Sequence, residues 1–468
     1  MENKQAWLKY SAEERKEVDT FCKSYISFIS KNKSEREFAA ASIEWAEQAG
    51  YRPLCDVLCE KEKLQPGSKI WACNKNKAVV LVHVGKNNIE AGMNILGAHI
   101  DSPRLDIKQN PFYEKSEFAL MDTHYYGGIK KYQWVTLPLA IHGVVALKNG
   151  DVKNIVIGED DADPVFCISD ILPHLGAEQM KKEASKIIEG EDLDLIVGNE
   201  TTAKLKDDKE VKDAIKKHTL DLIKEKYGIE EEDFLSAELE VFPAGKAREM
   251  GFDRSMVLGY GQDDKVCAFP SLLAQLHVCE KDAVPEKTCV CVLTDKEEIG
   301  SVGATGMESA FFENVIAEVC ELLGHSGSLP VKRALANSKM LSTDVNAGVD
   351  PLYGSVFEEK NASFCGRGIV FSKFTGSRGK SGSNDANAEF VAQIRKIMDD
   401  ANVSYQFAEL GKVDVGGGGT IAFVTANLGM DVIDSGVAVL SMHSPWEVTS
   451  KCDIYEAYKG YQAFLQKA

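Results

Sequence analysis

The texture of the chain changes twice along its length, and that change constrains the fold more than any other feature. Up to about residue 107 the sequence reads as α/β. Ser34 to Gly50 carries apolar residues at helical spacing (Phe38, Ile43, Ala46), while Ala78–Val84 and Asn94–Ile100 are apolar runs of strand length. From Pro111 to about Ile157, short β-like runs such as TLPLAIHGVVAL alternate with glycine and charged turns, the pattern of a mostly antiparallel sheet. Lys206 to Glu231 is highly charged with some helical spacing (Ile215, Leu220, Ile223), which reads as a solvated helix and loop. From about Gly251 to the end, strands and helices alternate again. The expected fold class is α/β, with one domain formed by residues 1–107 and 251–468 and a β-rich insertion at 108–250. A chain of 468 residues has room for two large domains of this kind.

Charge narrows the partners. Lys and Arg number 54 and Asp and Glu 72, so the net charge is −18. Such a chain repels nucleic acid and anionic membrane surfaces, and it lacks an aromatic–basic stripe. No apolar run approaches the ~18 residues of a membrane span. The start is charged and lacks a signal-peptide core. The twelve cysteines form no CxxC pair, and Cys267, Cys279, Cys289 and Cys291 sit in apolar runs as small core residues. A reduced, cytoplasmic protein is the expectation.

Four apolar, strand-like runs end in histidine or acid. NILGAHID ends in His99 and Asp101; TCVCVLTDKEEIG in Asp295, Glu297 and Glu298; SKMLSTDVNAG in Asp344; SGVAVLSMHSPWE in His443. In open α/β sheets ligands bind beyond the carboxyl ends of the strands, so these residues converge if the sheet orders the strands side by side. Asp263 and Asp264 open a segment with helical spacing (Val266, Phe269, Leu272, Leu276) and can join them from a helix N-terminus. Taken singly, each has an ordinary explanation: a structural histidine, a helix N-cap, a turn former. Together, two histidines and several carboxylates without thiolates suit a pair of divalent ions. His99 and Asp101 are two apart on a strand and share a face, so Asp101 can accept from the ring nitrogen that His99 keeps from a metal. Glu297 and Glu298 are adjacent and point differently, so one can bind metal while the other acts as a base.

Other chemistries lack their motifs. There is no GxSxG elbow and no HExxH helix. Gly379-Lys380-Ser381 resembles the end of a phosphate-binding loop, but Phe374 stands where its first glycine is required. Gly416–Gly419 has no nucleotide-binding context and reads as a site of tight backbone approach.

GAHIDSPRLDIK, GYGQDDKVCAFPSL, DKEEIGSVGATG, STDVNAG and LSMHSPWE together resemble the aspartyl aminopeptidase family of di-metal exopeptidases. THYYGGIKKYQW (Thr123–Trp134) and LPHLG around His174 look like its bacterial branch. The resemblance implies a central mixed sheet flanked by helices, and a dimerisation domain inserted where the β-rich segment lies. It implies two divalent ions per subunit, most simply Zn2+, with Co2+ or Mn2+ as alternatives. His99, Asp263 and Asp344 would hold one ion; Asp263, Glu298 and His443 the other. Glu297 would be the general base, with Asp101 orienting His99. Family members assemble as tetrahedral dodecamers built from dimers, in which a histidine matching His174 reaches a neighbour's site. Lys373 matches a substrate-binding lysine. The implied reaction removes the N-terminal residue from peptides with a free amino terminus; the rival reading is a carboxypeptidase or amide deacylase on the same scaffold. An inactive scaffold is argued against by the presence of every ligand and the base.

The chain departs from the eukaryotic pattern after Asp344, where Ala347 and Asp350 replace two histidines. An acidic first residue on the substrate would need a local cation against the −18 field, and Lys373 with the Arg378–Lys380 pair are the candidates.

Overall fold

The computed structural model describes residues 4–201, 212–279, 283–376 and 379–468. Residues 206–211 of the charged stretch and Arg378 therefore lie outside the described residues. The chain divides into two compact units. One comprises Met1–Ser102, Ala247–Met442 and Glu447–Ala468; the other comprises Pro103–Lys246 and His443–Trp446.

The first unit is built on a mixed sheet of nine strands. Their order is Arg52–Pro53, Lys69–Asn74, Ala78–His83, Cys289–Thr294, Asn94–His99, Lys339–Ser342, Asp431–Gly436, Ile369–Ser372 and Tyr405–Phe407. The middle four, from Cys289–Thr294 to Asp431–Gly436, are mutually parallel. Parallel strands need both faces covered, and every residue of Asn94–His99 and Cys289–Thr294 is buried, as is every residue of their antiparallel neighbour Ala78–His83. Side chains alternate between two cores. Val79, Leu81, Leu96, Ala98, Cys291 and Leu293 face one, with helices Ala12–Lys31, Glu35–Gln48, Gln262–Leu276 and Lys451–Lys467 supplying its other side. Val80, Val82, Ile95, Val290 and Val292 face the other, under helices Phe311–Leu322 and Ser328–Ala336. Each fully buried Val or Leu adds roughly 1.5–3 kcal/mol.

Local sequence explains the flanking helices. Ser34 accepts from the Glu37 N–H while the Glu37 carboxylate accepts from the Ser34 N–H, and Ser11 and Glu14 repeat the exchange. Phe38, Ala39, Ser42 and Ala46 then form the buried stripe of Glu35–Gln48. A smaller five-stranded sheet in the same unit joins Arg248–Met250, Met256–Gly259, Glu447–Ser450, Ala438–Leu440 and Asn346–Ala347.

The second unit holds a six-stranded sheet, antiparallel throughout, in the order Val152–Ile157, Leu139–Ala146, Ala237–Pro243, Arg104–Lys115, Phe118–Tyr126 and Leu195–Gly198. The run TLPLAIHGVVAL supplies Leu139–Ala146, and the charged stretch supplies the helix Ala214–Tyr227. The edges expected at 108 and 250 fall inside the strand Arg104–Lys115 and at the end of Arg248–Met250. No helix among the described residues is long and apolar enough to cross a membrane.

Candidate metal centre

The four parallel strands end at one edge, and register decides what meets there. Thr294 lies opposite His99, so the segment Asp295–Glu298 begins level with the His99 ring. Ser342 lies opposite Gly97, which brings Asp344, two residues on, to the same level. Gly436 makes room for it: a Cβ at 436 would stand 1.8 Å from the Asp344 carbonyl oxygen.

Asp263 arrives from the helix Gln262–Leu276. Asp263 (φ −77°, ψ 106°) and Asp264 (φ −113°, ψ 19°) are not helical, so the chain turns before the helix proper begins. No side chain caps this helix, so the ordinary N-cap role is not the one the geometry gives either aspartate. Three bonds fix the turn: Asp263 N–H donates to Glu447 Oε2 (3.1 Å), Ser102 Oγ donates to the Asp263 carbonyl (2.6 Å), and the buried Lys265 Nζ donates to Ser102 Oγ (2.6 Å).

His99 stands at the centre and is 1% exposed. Its Nδ1 faces the Asp101 carbonyl oxygen at 3.1 Å and Asp101 Oδ1 at 3.3 Å. Both are acceptors, so Nδ1 carries a proton and Nε2 is the ring nitrogen that can turn to a metal. Nε2 in turn faces Asp263 Oδ1 at 3.2 Å and Asp344 Oδ1 at 3.9 Å, with Glu297 Oε2 at 3.9 Å. Ringed by carboxylate oxygens, Nε2 needs a positive charge among them, either a second proton on the ring or a metal ion. Ligand atoms about 2.1 Å from one tetrahedral ion stand roughly 3.4 Å apart, and the observed spacings bracket that value. His99, Asp263 and Asp344 each offer one such atom, all within 4.8 Å of one another. Asp263 and Glu298 also bring carboxylate oxygens within 4.8 Å of each other.

The turn carrying the two glutamates is held by Asp101. Its Oδ1 accepts from the Glu297 N–H and its Oδ2 from the Glu298 N–H, both at 3.2 Å. The spacing of His99 and Asp101 in sequence pointed to the first contact of this carboxylate; the second was not visible there. The protonation equilibria register the crowding of negative charge. Burial, reinforced by the charges of Asp264, Glu297 and Asp263, pushes Asp344 well above the usual carboxylate range, with His99 opposing. Burial likewise raises Asp264. Burial would lower His99, but its bonds to Asp101 and Asp263 and the charges of Glu297 and Asp344 carry it well above its ordinary value. A dication at this place relieves all three. The residues present therefore fit a divalent metal in an N/O environment.

Three further candidates remain: His443, His174 and Lys373. His443 is half-buried, follows the strand Ala438–Leu440 with φ +63°, and its Nδ1 faces the Gly128 carbonyl at 2.9 Å. His174 lies exposed on an irregular loop of the second unit. Lys373 directly follows Ile369–Ser372, and its Nζ lies 3.4 Å from Asp385 Oδ1, while Lys380 Nζ lies 3.0 Å from Asp385 Oδ2. Sequence reasoning assigned no part to Ser102, Lys265 or Glu447, although all three lie inside the quoted motifs. It weighed acids and histidines as ligands, and these three act through the backbone and through one another.

A parallel-sheet edge presenting one histidine and several carboxylates, with a spare glutamate beside them, defines a metal-dependent hydrolase. Residues 28–465 match the family model described as Aminopeptidase I zinc metalloprotease (M18). A probable M18 family aminopeptidase 1 of Clostridium acetobutylicum is 55% identical over 99% of this chain and 98% of its own. The crystal structure of the M18 aminopeptidase of Thermotoga maritima superposes with a TM-score of 0.93 at 42% identity, over 100% of both chains. The yeast mApe1 dodecamer shares the fold at 20% identity, with a TM-score of 0.74 over 95% of this chain and 96% of its own. The chain belongs to the M18 family of zinc aminopeptidases.

Proposed function

We propose that this enzyme removes N-terminal residues through a co-catalytic pair of divalent ions, most simply zinc. His99, Asp263 and Asp344 would hold one ion and Asp263, Glu298 and His443 the other, with Asp263 common to both sets. The observation that carries the reading is His99 Nε2 set 3.2 Å from Asp263 Oδ1 and 3.9 Å from Asp344 Oδ1. Chain connectivity supports His443: it follows Met442 directly, and four residues later comes Glu447, which binds the Asp263 N–H. Four extended residues reach at most about 14 Å.

Two bound divalent ions supply Lewis acidity for the water and for the oxyanion. The rest falls to the chain. Glu297 takes the proton of the attacking water and delivers it to the leaving amine. Asp101 fixes the proton of His99 on Nδ1 and, by accepting from both glutamate N–H groups, keeps Glu297 and Glu298 apart in their two tasks. Lys373 serves an acidic first residue of the substrate. The hydroxyl of the preceding Ser372 accepts from the amide of Asn346 (3.0 Å), two residues from Asp344, which supports a place for this lysine near the metals. Glu297→Gln tests the assignment: turnover should fall at least ~100-fold with bound metal retained, and an active variant would refute the base.

The second unit serves assembly from dimers into a tetrahedral dodecamer. His174 is flanked by exposed Ile171, Leu172, Leu175 and Met180, an apolar surface of the kind that partners cover. In the assembly His174 reaches a neighbour's site. The reduced cytoplasm is the matching compartment for its twelve free cysteines.

A further inference from the structure

The strand Cys289–Thr294 delivers one acid that the chemistry above leaves unused. Asp295 is 1% exposed, and each of its carboxylate oxygens has work. Oδ1 accepts from the Lys296 N–H at 2.8 Å. Oδ2 accepts from the hydroxyl of the buried Thr305 at 2.6 Å and lies 3.7 Å from Lys296 Nζ. The backbone closes the same ring, because the Asp295 N–H donates to the Thr305 carbonyl (3.3 Å), which also accepts from Thr294 Oγ1 (3.2 Å).

What this ring encloses is the turn bearing the general base. Lys296 sits at φ +67°, a left-handed conformation that a side-chain-bearing residue rarely adopts without local compensation. Its carbonyl accepts from the Ser301 N–H at 2.7 Å, and the Glu297 carbonyl accepts from the Gly300 N–H at 2.8 Å. Three successive N–H groups, of residues 296, 297 and 298, thus point into two buried carboxylates: Asp295 takes the first and Asp101 the next two. Asp101 alone fixes one side of the turn; the Asp295–Thr305 clamp fixes the other. Gly306 lets Thr305 return so closely, since a Cβ there would lie 2.1 Å from the Ser301 carbonyl oxygen.

We propose that Asp295 and Thr305 are a positioning pair that holds Lys296 left-handed and thereby sets the direction of the Glu297 carboxylate. The pair touches neither substrate nor metal and acts through Glu297, so the inference rests on Glu297 being the base. A proton acceptor displaced by about 1 Å loses on the order of 100-fold in rate, and a partly loosened one less.

The test compares Thr305→Val, Thr305→Ser, Asp295→Ala and Glu297→Gln in the metal-loaded enzyme. Kinetics, metal per chain by mass spectrometry and Tm are read together. Thr305→Val should lower kcat roughly 10-fold to 100-fold with KM and metal content unchanged; Thr305→Ser should restore kcat, and Asp295→Ala should lose at least as much. Because the pair acts through the base, Thr305→Val should subtract nothing further from the residual rate of Glu297→Gln. Unchanged kcat in Thr305→Val, a loss that tracks metal content, or an additive loss in the double variant overturns the positioning role. Full activity in Glu297→Gln overturns the underlying reading instead, whatever the threonine variants do.

Discussion

Two charged clusters in the first unit make opposite use of carboxylates. At the sheet edge, Asp101, Asp263 and Asp344 crowd around a buried His99, and burial drives protons onto Asp344. At the exposed loop after Ile369–Ser372, Asp385 lies between Lys373 and Lys380, and the hydrogen bond from Lys380 holds its carboxyl below the usual range. The exposed cluster is complete in itself, because its cations are covalent parts of the chain. The buried one is built from acceptors and calls for a cation from outside. Stability alone would replace such a cluster with apolar side chains; its retention is a functional choice.

The largest effect should come from emptying the buried cluster. His99→Ala removes the imidazole that groups with Asp263 and Asp344. Lewis-acid stabilisation of several kcal/mol corresponds to roughly 1,000-fold or more in rate, and metal per chain should fall with it. Activity retained with full metal loading would break the contrast at its root. Next comes Gly436→Ala, which touches no ligand side chain but drives a methyl into the Asp344 backbone. Forced overpacking costs about 1–3 kcal/mol, so Tm should drop and kcat/KM should fall by a comparable factor. A variant with lowered Tm and intact kcat/KM would uncouple the position of Asp344 from activity.

The buried cluster was largely legible because His99, Asp101 and Asp344 close apolar runs and Asp263 opens a helical one. His99 and Asp344 follow buried strands whose side chains leave no other reading of the period, and parallel pairing aligns their ends. The turn at Lys296 left no mark, since a left-handed lysine has no sequence signature of the kind glycine supplies. Nor did its clamp, which joins residues ten apart through a loop whose path no periodicity encodes. The Lys373–Asp385 pairing escaped notice for the same reason. The paired motifs of the resemblance chose Asp263 over Asp264; local spacing alone left both open, and only the non-helical turn distinguishes their directions.

Burial and lysine contact should also separate in pH. Asp453, in the helix Lys451–Lys467, accepts from the Gly366 and Gly368 N–H groups at 2.6 Å each, yet burial pushes it up to about 7. Between an unfolded value of ~3.9 and that folded value, the native state binds the extra proton. Its contribution to stability is therefore full below about pH 4 and is lost as pH rises towards about 7. Relative to the parent, Asp453→Asn should look better at pH 8 than at pH 5 when Tm is compared. A difference in Tm that is the same at both pH values would show that burial does not govern this carboxylate.

The smallest effects belong to the exposed cluster. Lys373, Lys380 and Asp385 are each nearly half exposed, so water and salt screen their attraction. Such a pair is worth about 0.2–1 kcal/mol, and Lys380→Ala should leave Tm nearly unmoved. Function gives a sharper reading than stability does. If Lys373 meets an acidic first residue, Lys373→Ala should raise KM for that substrate up to about fivefold, the factor that 1 kcal/mol supplies, and leave KM for a neutral one unchanged. Asp385→Asn should do the reverse, because it frees both lysines for the substrate. Equal shifts for acidic and neutral substrates would make the cluster a surface ion pair and nothing more. Opposite shifts would mean that one carboxylate on the loop competes with the substrate's own, the exposed counterpart of carboxylates that compete for a cation at the sheet edge.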